Sequence, residues 1–341
     1  MKEAIRTYAY SLGFDAVGFA SQEDLKFRHD SFLKIKNQNT FGDMGYLYAF
    51  NERQKRVLQE IPTCRSVVVV GLNSFQVSTS TQDKPFDKTQ DRQSSGRVAR
   101  YAWGRDYHGV IKEKLERLSD YLKGQFSDIQ TKICVDTEAV LEKPLAVRAG
   151  LGFQGKNTLL IHPRYGTWLL LGELFTSLSL ESDGSRTLRP GSGQAIRDEG
   201  CGSCRLCVEA CPTDALKGDY TMDASRCLSY YTIESKREIP AEIQEKMGDR
   251  VFGCDICMEV CPHNRKVLPT SLPEMQPQNG VGERISLDLV QGILSNRQYE
   301  RAFNGTPLKR LGLKRFKRNL DVLSKNDNKD LTTDVVKGSV A

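Results

Sequence analysis

Apolar residues recur along this chain in patterns that predict different kinds of element. Residues 4–12 and 107–122 carry them at helical spacing, the second through Val110, Leu115, Leu118 and Leu122. Residues 67–70 form a short β-branched run typical of a buried strand. Residues 132–135 and 167–171 are further strand candidates, with a helix predicted over 138–149 between them. Alternation of this kind argues for a sheet covered by helices, an α/β body over residues 1–190.

Polar stretches divide the rest. Residues 73–96, rich in Ser, Thr, Gln and Asp, read as a long loop or lid, and residues 181–200 read as a linker. A cysteine-rich segment occupies 191–270. Past Cys261, the prolines at 262, 269, 273 and 277 exclude regular helix. Helical periodicity returns over residues 287–323, inside a basic helical segment at 271–325, and the polar tail at 326–341 is expected to be disordered.

Composition narrows the class. With 341 residues, 39% hydrophobic and 27% charged, the chain has the balance of a soluble globular protein and is not collagenous, coiled-coil or wholly disordered. No apolar run approaches the ~18 residues of a membrane span. Charges at Lys2, Glu3 and Arg6 stand where an export signal would need apolar residues, so a cytoplasmic, monomeric protein is expected. The net charge of +6 is uneven: residues 301–325 hold eight Lys or Arg against the single acid Asp321. On a helix, Arg310, Lys314, Arg315, Lys317 and Arg318 would face outward as a basic stripe, suited to a phosphate backbone or simply to solvent.

Eight of the ten cysteines fall between 201 and 261. A chain this long does not need disulfide staples, which leaves metal. The first run is Cys201-x2-Cys204-x2-Cys207-x3-Cys211-Pro212; the second is Cys254-x2-Cys257-x3-Cys261-Pro262, with Cys227 alone between. Two-residue gaps let thiolates of one tight loop meet one cluster, while the cysteine before proline is carried to a neighbouring cluster. This assigns Cys201, Cys204, Cys207 and Cys261 to one 4Fe-4S cluster, and Cys211, Cys227, Cys254 and Cys257 to the other. Two all-thiolate zinc sites are the competing reading. Cys64 and Cys134 are left as buried thiols.

A glycine-rich turn, Gly150-x-Gly152-x-x-Gly155-Lys156-Asn157, lacks the strand lead-in of a nucleotide loop, but lets backbone approach a large ligand. Asp136 follows a predicted strand and precedes a helix, which fits a ligand-facing acid or a helix N-cap. Asp106, Tyr107 and His108 form a second polar group at a predicted helix start. His29 and His162 have no context, and His263 follows the cluster motif.

Several long segments resemble the epoxyqueuosine reductases, cobalamin-dependent iron-sulfur enzymes of tRNA queuosine synthesis. The matches are Gly42-Asp43-Met44-Gly45-Tyr46-Leu47, Arg100-Tyr101-Ala102-Trp103-Gly104-Arg105-Asp106-Tyr107-His108, the Asp136 segment, the cysteine block with Arg226-Cys227-Leu228-Ser229-Tyr230-Tyr231-Thr232-Ile233-Glu234, Phe303-Asn304-Gly305-Thr306-Pro307, and Arg318-Asn319. The resemblance implies a nitroreductase-like α/β domain and a ferredoxin-like two-cluster domain holding cobalamin between them, followed by a short helical C-terminus. It further implies that cob(I)alamin, reduced through the clusters by an unidentified electron donor, reduces the epoxide of epoxyqueuosine in the anticodon loop of tRNA.

Asp136 then stands as proton donor, its pKa raised beside the apolar corrin, with Asp106, Tyr107 and His108 contacting substrate or ordering the pocket. Arg56, Tyr101, Gly155, Lys156, Asn157, Trp168 and Leu171, together with Asp136, become the expected cobalamin contacts, and the basic stripe the tRNA contact. A corrinoid and iron-sulfur reductive dehalogenase acting on a small molecule is the alternative.

Overall fold

Strands β1 (Ala16–Ser21), β2 (Ser66–Asn73), β3 (Ser95–Val98), β4 (Thr131–Cys134), β5 (Phe153–Gln154), β6 (Leu160–Ile161), β7 (Leu169–Thr176), β8 (Arg250–Phe252) and β9 (Arg284–Ser286) follow one another in a computed structural model. The structure describes residues 1–25, 40–78, 95–184 and 200–337. Helices α1 (Lys2–Ser11), α2 (Phe50–Gln59), α3 (Tyr107–Gln125) and α4 (Glu142–Arg148) pack on the first sheet, and α5 (Leu313–Lys337) packs against the second.

The first sheet has the order β1-β2-β7-β4 and is antiparallel throughout. Every residue of β2 is buried, because both faces of the sheet are covered. Val68, Val70 and Leu72 meet Ile5, Val110, Leu115 and Leu118 of α1 and α3. Val67 and Val69 meet Val57 of α2 and Leu145 and Ala146 of α4 on the other face. Two-sided burial removes any need for polar alternation, so the valines run without a break. Each such side chain contributes roughly 1.5–3 kcal/mol of transfer free energy.

A second sheet, β8-β3-β9, crosses the division expected near residue 190. Strand β3 pairs parallel with β8 and antiparallel with β9, and Trp103 just beyond it shares a core with Phe252, Tyr299, Phe303 and Phe316. Sequence-local patterning cannot show a pairing of this range. Early residues 95–103 are thus part of the C-terminal core.

Three other expectations change. Helix α4 starts at Glu142 rather than 138, since Asp136 adopts φ 48° and turns the chain first. The strand expected at 167–171 runs over Leu169–Thr176. The tail expected to be disordered from 326 continues as helix to Lys337. Phe316, Leu320, Val322 and Leu323 bury its first turns, and an anchored helix extends cheaply. Asn326 also donates to the carbonyl of Gln244 at 2.8 Å.

Much of the expected lid (79–94) and linker (185–199) lies outside the described residues, as does His29. The linker's first residues are pinned: Asp183 accepts from Lys2 at 2.5 Å and from Arg6 at 2.9 Å. Among the described residues no helix is long and apolar enough to cross a membrane.

Candidate functional site

Each cysteine run winds onto a one-turn helix, Leu206–Glu209 or Ile256–Glu259, whose exit carries its last cysteine away from the others. Cys201, Cys204, Cys207 and Cys261 consequently ring one cavity of about 160 Å³. Cys211, Cys227, Cys254 and Cys257 ring a second, of about 290 Å³. Among the described residues no three His, Cys, Asp or Glu side chains stand close enough to share a single ion. The thiols surround spaces instead, as ligands of a polynuclear cluster do.

A third cavity, of about 620 Å³, opens beside them. The three share walls in sequence. Asn157 lines both cysteine cavities, while Lys143 and Thr158 line the second cysteine cavity and the large one. The Cys211 quartet therefore stands between the Cys201 quartet and the large cavity. Leu47, Phe50, Val140, Leu141 and Pro144 give the large cavity an apolar wall, and Asp136, Glu142, Glu234 and Arg310 a charged one.

Asp136 reaches that wall from the end of β4 in a left-handed conformation, which an aspartate tolerates better than most residues. It is not a helix cap: Leu141 takes that position, and the Asp136 amide donates to Glu142 Oε1 at 2.6 Å. Asp106 is a cap, accepting from the His108 amide at the start of α3. Its Oδ1 also stands 2.7 Å from His108 Nδ1, which directs Nε2 to Asp136 Oδ2 at 3.1 Å. Burial alone would lower the His108 pKa, but the two flanking carboxylates raise it to about 9.

Burial pushes Asp136 upward in turn, yet the His108 hydrogen bond and the charges of His108 and Arg310 hold it below the usual carboxylate range. In the pair it forms with His108, the proton rests on the imidazole, whereas the raised value expected for Asp136 belongs to a carboxyl lying beside an apolar corrin. Tyr107 is pushed well above its ordinary value by burial and by Asp136.

Other candidates are placed differently from expectation. Arg56 is exposed and outside the cavity lining, whereas Arg53, one turn earlier, lines it and donates to the Thr137 carbonyl at 3.0 Å. Lys156 serves the first cysteine loop, donating to the carbonyls of Gly202 at 2.6 Å and Cys204 at 3.0 Å. Gly155 belongs to the tight β5–β6 hairpin, where its amide donates to Leu159. Trp168 packs against Phe75 and Arg100, and Leu171 is core beneath α4. None of these five lines the large cavity. Tyr101 lines the second cysteine cavity, 6.0 Å from both Tyr107 and Phe252 between ring centres. His263 lines the first and bonds the Gly200 carbonyl, and His162 accepts from two turn amides.

The basic stripe is not one outward face. Gly312 (φ 75°) separates a 3-10 turn, Pro307–Leu311, from α5. Arg310 turns into the cavity, 2.6 Å from Glu234 and 3.8 Å from Asp136. Arg315 donates to the carbonyls of Ile233, Glu234, Arg310 and Leu311, and Arg318 to those of Tyr231, Ser235 and Arg237. Only Lys314 and Lys317 of the five project from α5 into solvent.

The motif segments meet in space. Asp43 accepts from the Tyr230 hydroxyl, and a Cβ on Gly42 (φ 64°) would stand 2.5 Å from that ring, so only glycine fits.

Known proteins add to this geometry. Residues 200–264 match the family described as a 4Fe-4S double cluster binding domain, and residues 55–137 match epoxyqueuosine reductase QueG, DUF1730. The epoxyqueuosine reductase of Prochlorococcus marinus is 32% identical over 95% of this chain and 97% of its own. That of Bacillus subtilis is 34% identical over 94% of this chain and 77% of its own. The structure of epoxyqueuosine reductase from Streptococcus thermophilus superposes with a TM-score of 0.78 at 28% identity, covering 96% of this chain and 81% of the other. An epoxyqueuosine reductase crystallised with an epoxyqueuosine-modified tRNA-Tyr stem loop superposes at 0.77 and 31% identity, over the same shares.

Proposed function

The chain belongs to the epoxyqueuosine reductase family, and we propose that it reduces the epoxide of tRNA-borne epoxyqueuosine in the 620 Å³ cavity, with His108 and Asp136 handling the proton. The chain is an oxidoreductase that reduces epoxyqueuosine in tRNA. What supports the residue-level reading is one juxtaposition: a proton-holding imidazole and carboxylate at one wall, and a cysteine-ringed cavity behind another, sharing Lys143 and Thr158.

The residues fit the groups this chemistry needs. Two thiol quartets suit two 4Fe-4S clusters, which soft thiolate ligands favour. The apolar wall of Leu47, Phe50, Val140, Leu141 and Pro144 suits the face of a corrin, and the surrounding first body is read as a nitroreductase-like frame. Bound there, clusters and cobalamin would supply one-electron transfer and a strongly reducing centre.

The chain's own side chains manage the rest. An epoxide oxygen released from carbon needs a proton at once. Asp106 accepts from Nδ1–H and so orients the His108 imidazolium with its Nε2 proton pointing at Asp136 Oδ2, and Asp136 passes that proton into the cavity. Arg310 holds Asp136 and Glu234 on the same wall and keeps Asp136 ionised between turnovers. In this reading the exposed Lys314 and Lys317 meet the tRNA backbone, and base reading falls to the cavity, into which an unstacked nucleotide can be turned.

The test is anaerobic conversion of epoxyqueuosine-bearing tRNA after loading the protein with iron, sulfide and cobalamin. Absorbance should report both cofactors, and nucleoside analysis should report queuosine. Protein that binds both cofactors and leaves the epoxide intact would sink this reading.

A further inference from the structure

Strand β7 contains one charged residue, Glu173, in the apolar sequence Leu-Leu-Leu-Gly-Glu-Leu-Phe-Thr. Its pleat places Leu171, Glu173 and Phe175 on the sheet face beneath α4, whose own first residue is Glu142. Glu173 is fully buried, and among the described residues no N–H or hydroxyl donor reaches either carboxylate oxygen; the group within hydrogen-bonding reach is another acid, the carboxyl of Glu142. An ionised carboxylate cannot be held that way, because desolvation without a partner costs far more than protonation. Glu142, facing it, lines the large cavity and accepts from the Asp136 amide at 2.6 Å. The two acids thus lead from the sheet interior to the reacting wall.

Building on the reading above, we propose that the Glu142–Glu173 pair is the proton reservoir of the site, and that Glu142 supplies the second proton that epoxide reduction consumes. Converting an epoxide to an alkene breaks two C–O bonds and forms one C–C π bond. Two electrons enter from the reductant that the reductase activity already requires, and two protons leave with the oxygen as water. His108 and Asp136 account for the first proton. Glu142 gives the second to the vacated Asp136 carboxylate and is recharged from solvent once product leaves. Glu173 stays neutral behind it and acts as a positioning residue.

The surroundings agree. Burial and the charge of Asp136 raise Glu142 to about 7, and burial and Glu142 raise Glu173 well above its ordinary value. Asp136, His108 and Lys143 face the pair from the cavity side, and Cys134 of β4, with Glu138 near it, from the sheet; Val69 of β2, opposite Glu173, adds no charge. Two carboxyls this close do not ionise together, the usual way one is kept protonated near neutrality.

The test uses cofactor-loaded protein and two readouts. Infrared spectra at a pH well above the Glu142 titration near 7 should show a neutral-carboxyl band that is lost in Glu173→Gln; this does not depend on the substrate. Glu142→Gln keeps an oxygen for the Asp136 amide but carries no acidic proton. Its kcat should fall at least tenfold with KM for tRNA unchanged, and the decline of kcat as pH rises through about 7 should disappear. Glu173→Gln should move that decline to lower pH, and Glu173→Met should melt no lower than the parent. The idea is overturned if the infrared band survives in Glu173→Gln, if Glu142→Gln stays within twofold and keeps its decline, or if both Glu173 variants lose stability without changing the pH profile. Wild-type protein that shows the band but reduces no epoxyqueuosine would instead fail the functional reading alone.

Discussion

Two groups of charged side chains in this protein are treated in opposite ways. At the start of α5, Arg315 and Arg318 spread their guanidinium groups over seven backbone carbonyls, and the buried Asn319 donates to Thr232 and Val251 at 2.8 and 2.9 Å. Every side-chain nitrogen of these three residues has an acceptor, so the group fixes the start of α5 to residues 231–237 and to β8. At the end of β4 the balance is reversed: Asp106, Asp136, Glu142 and Glu173 offer acceptors for which His108 and Arg310 are the main cations. A satisfied set holds geometry; an acceptor-rich set holds protons.

The sharpest way to break that contrast is Asp136→Asn. Removing the acid should reduce single-turnover reduction with pre-reduced corrinoid by roughly 10²–10⁴-fold, the usual worth of a placed proton donor. Retention within a few-fold would place the proton path elsewhere. Asn319→Ala probes the other group. It leaves two buried carbonyls unpaired and should cost about 2–4 kcal/mol in a denaturant titration, with turnover per folded molecule unchanged. If Asn319→Ala instead lowered kcat without a loss of stability, the satisfied group would not be purely structural.

His108 sharpens the comparison through pH. Its folded pKa of about 9 lies above the ordinary value of 6.5, so its two ion pairs contribute fully below about 6.5 and are lost as pH rises through 9. Both activity and stability should decline across that interval in the parent. His108→Asn should lower kcat roughly tenfold or more and remove the decline near 9. Persistence of that decline in the variant would move the titration to another group.

What could be read from the sequence follows from what the chain itself fixes. Four valines in succession announce a strand covered on both sides, and cysteine spacing dictates loop shape, so those features are local. The pairing of β3 with β8 and β9 is not local, and the division at 190 therefore misplaced residues 95–103. Trp168 and Leu171 have the same apolar signature whether they line a ligand or fill a core. Arg53 and Arg56 sit in a mostly polar helix whose rotation no periodicity sets, although they differ by only about 60° around its axis. Glu173 carried a visible signal, a lone acid in an apolar strand, but its meaning appears only once α4 is seen to cover it.

The same distinction separates the cations that remain free from those already engaged. Lys314 and Lys317 are exposed on α5, whereas Arg315 and Arg318 are committed to carbonyls around residues 231–237 and 310–311. Neutralising Lys314 and Lys317 to Gln should weaken tRNA binding only a few-fold, but should lower the slope of log affinity against log salt by roughly one for each phosphate that is no longer neutralised. Cofactor spectra and melting temperature should not move. Arg318→Gln should do the reverse, lowering the melting temperature while leaving the salt slope of the folded protein intact. Equal effects from the lysine and arginine variants on the slope would mean that tRNA draws Arg318 out of its carbonyl cage, and the division between holding and binding charges would then belong to the free protein alone.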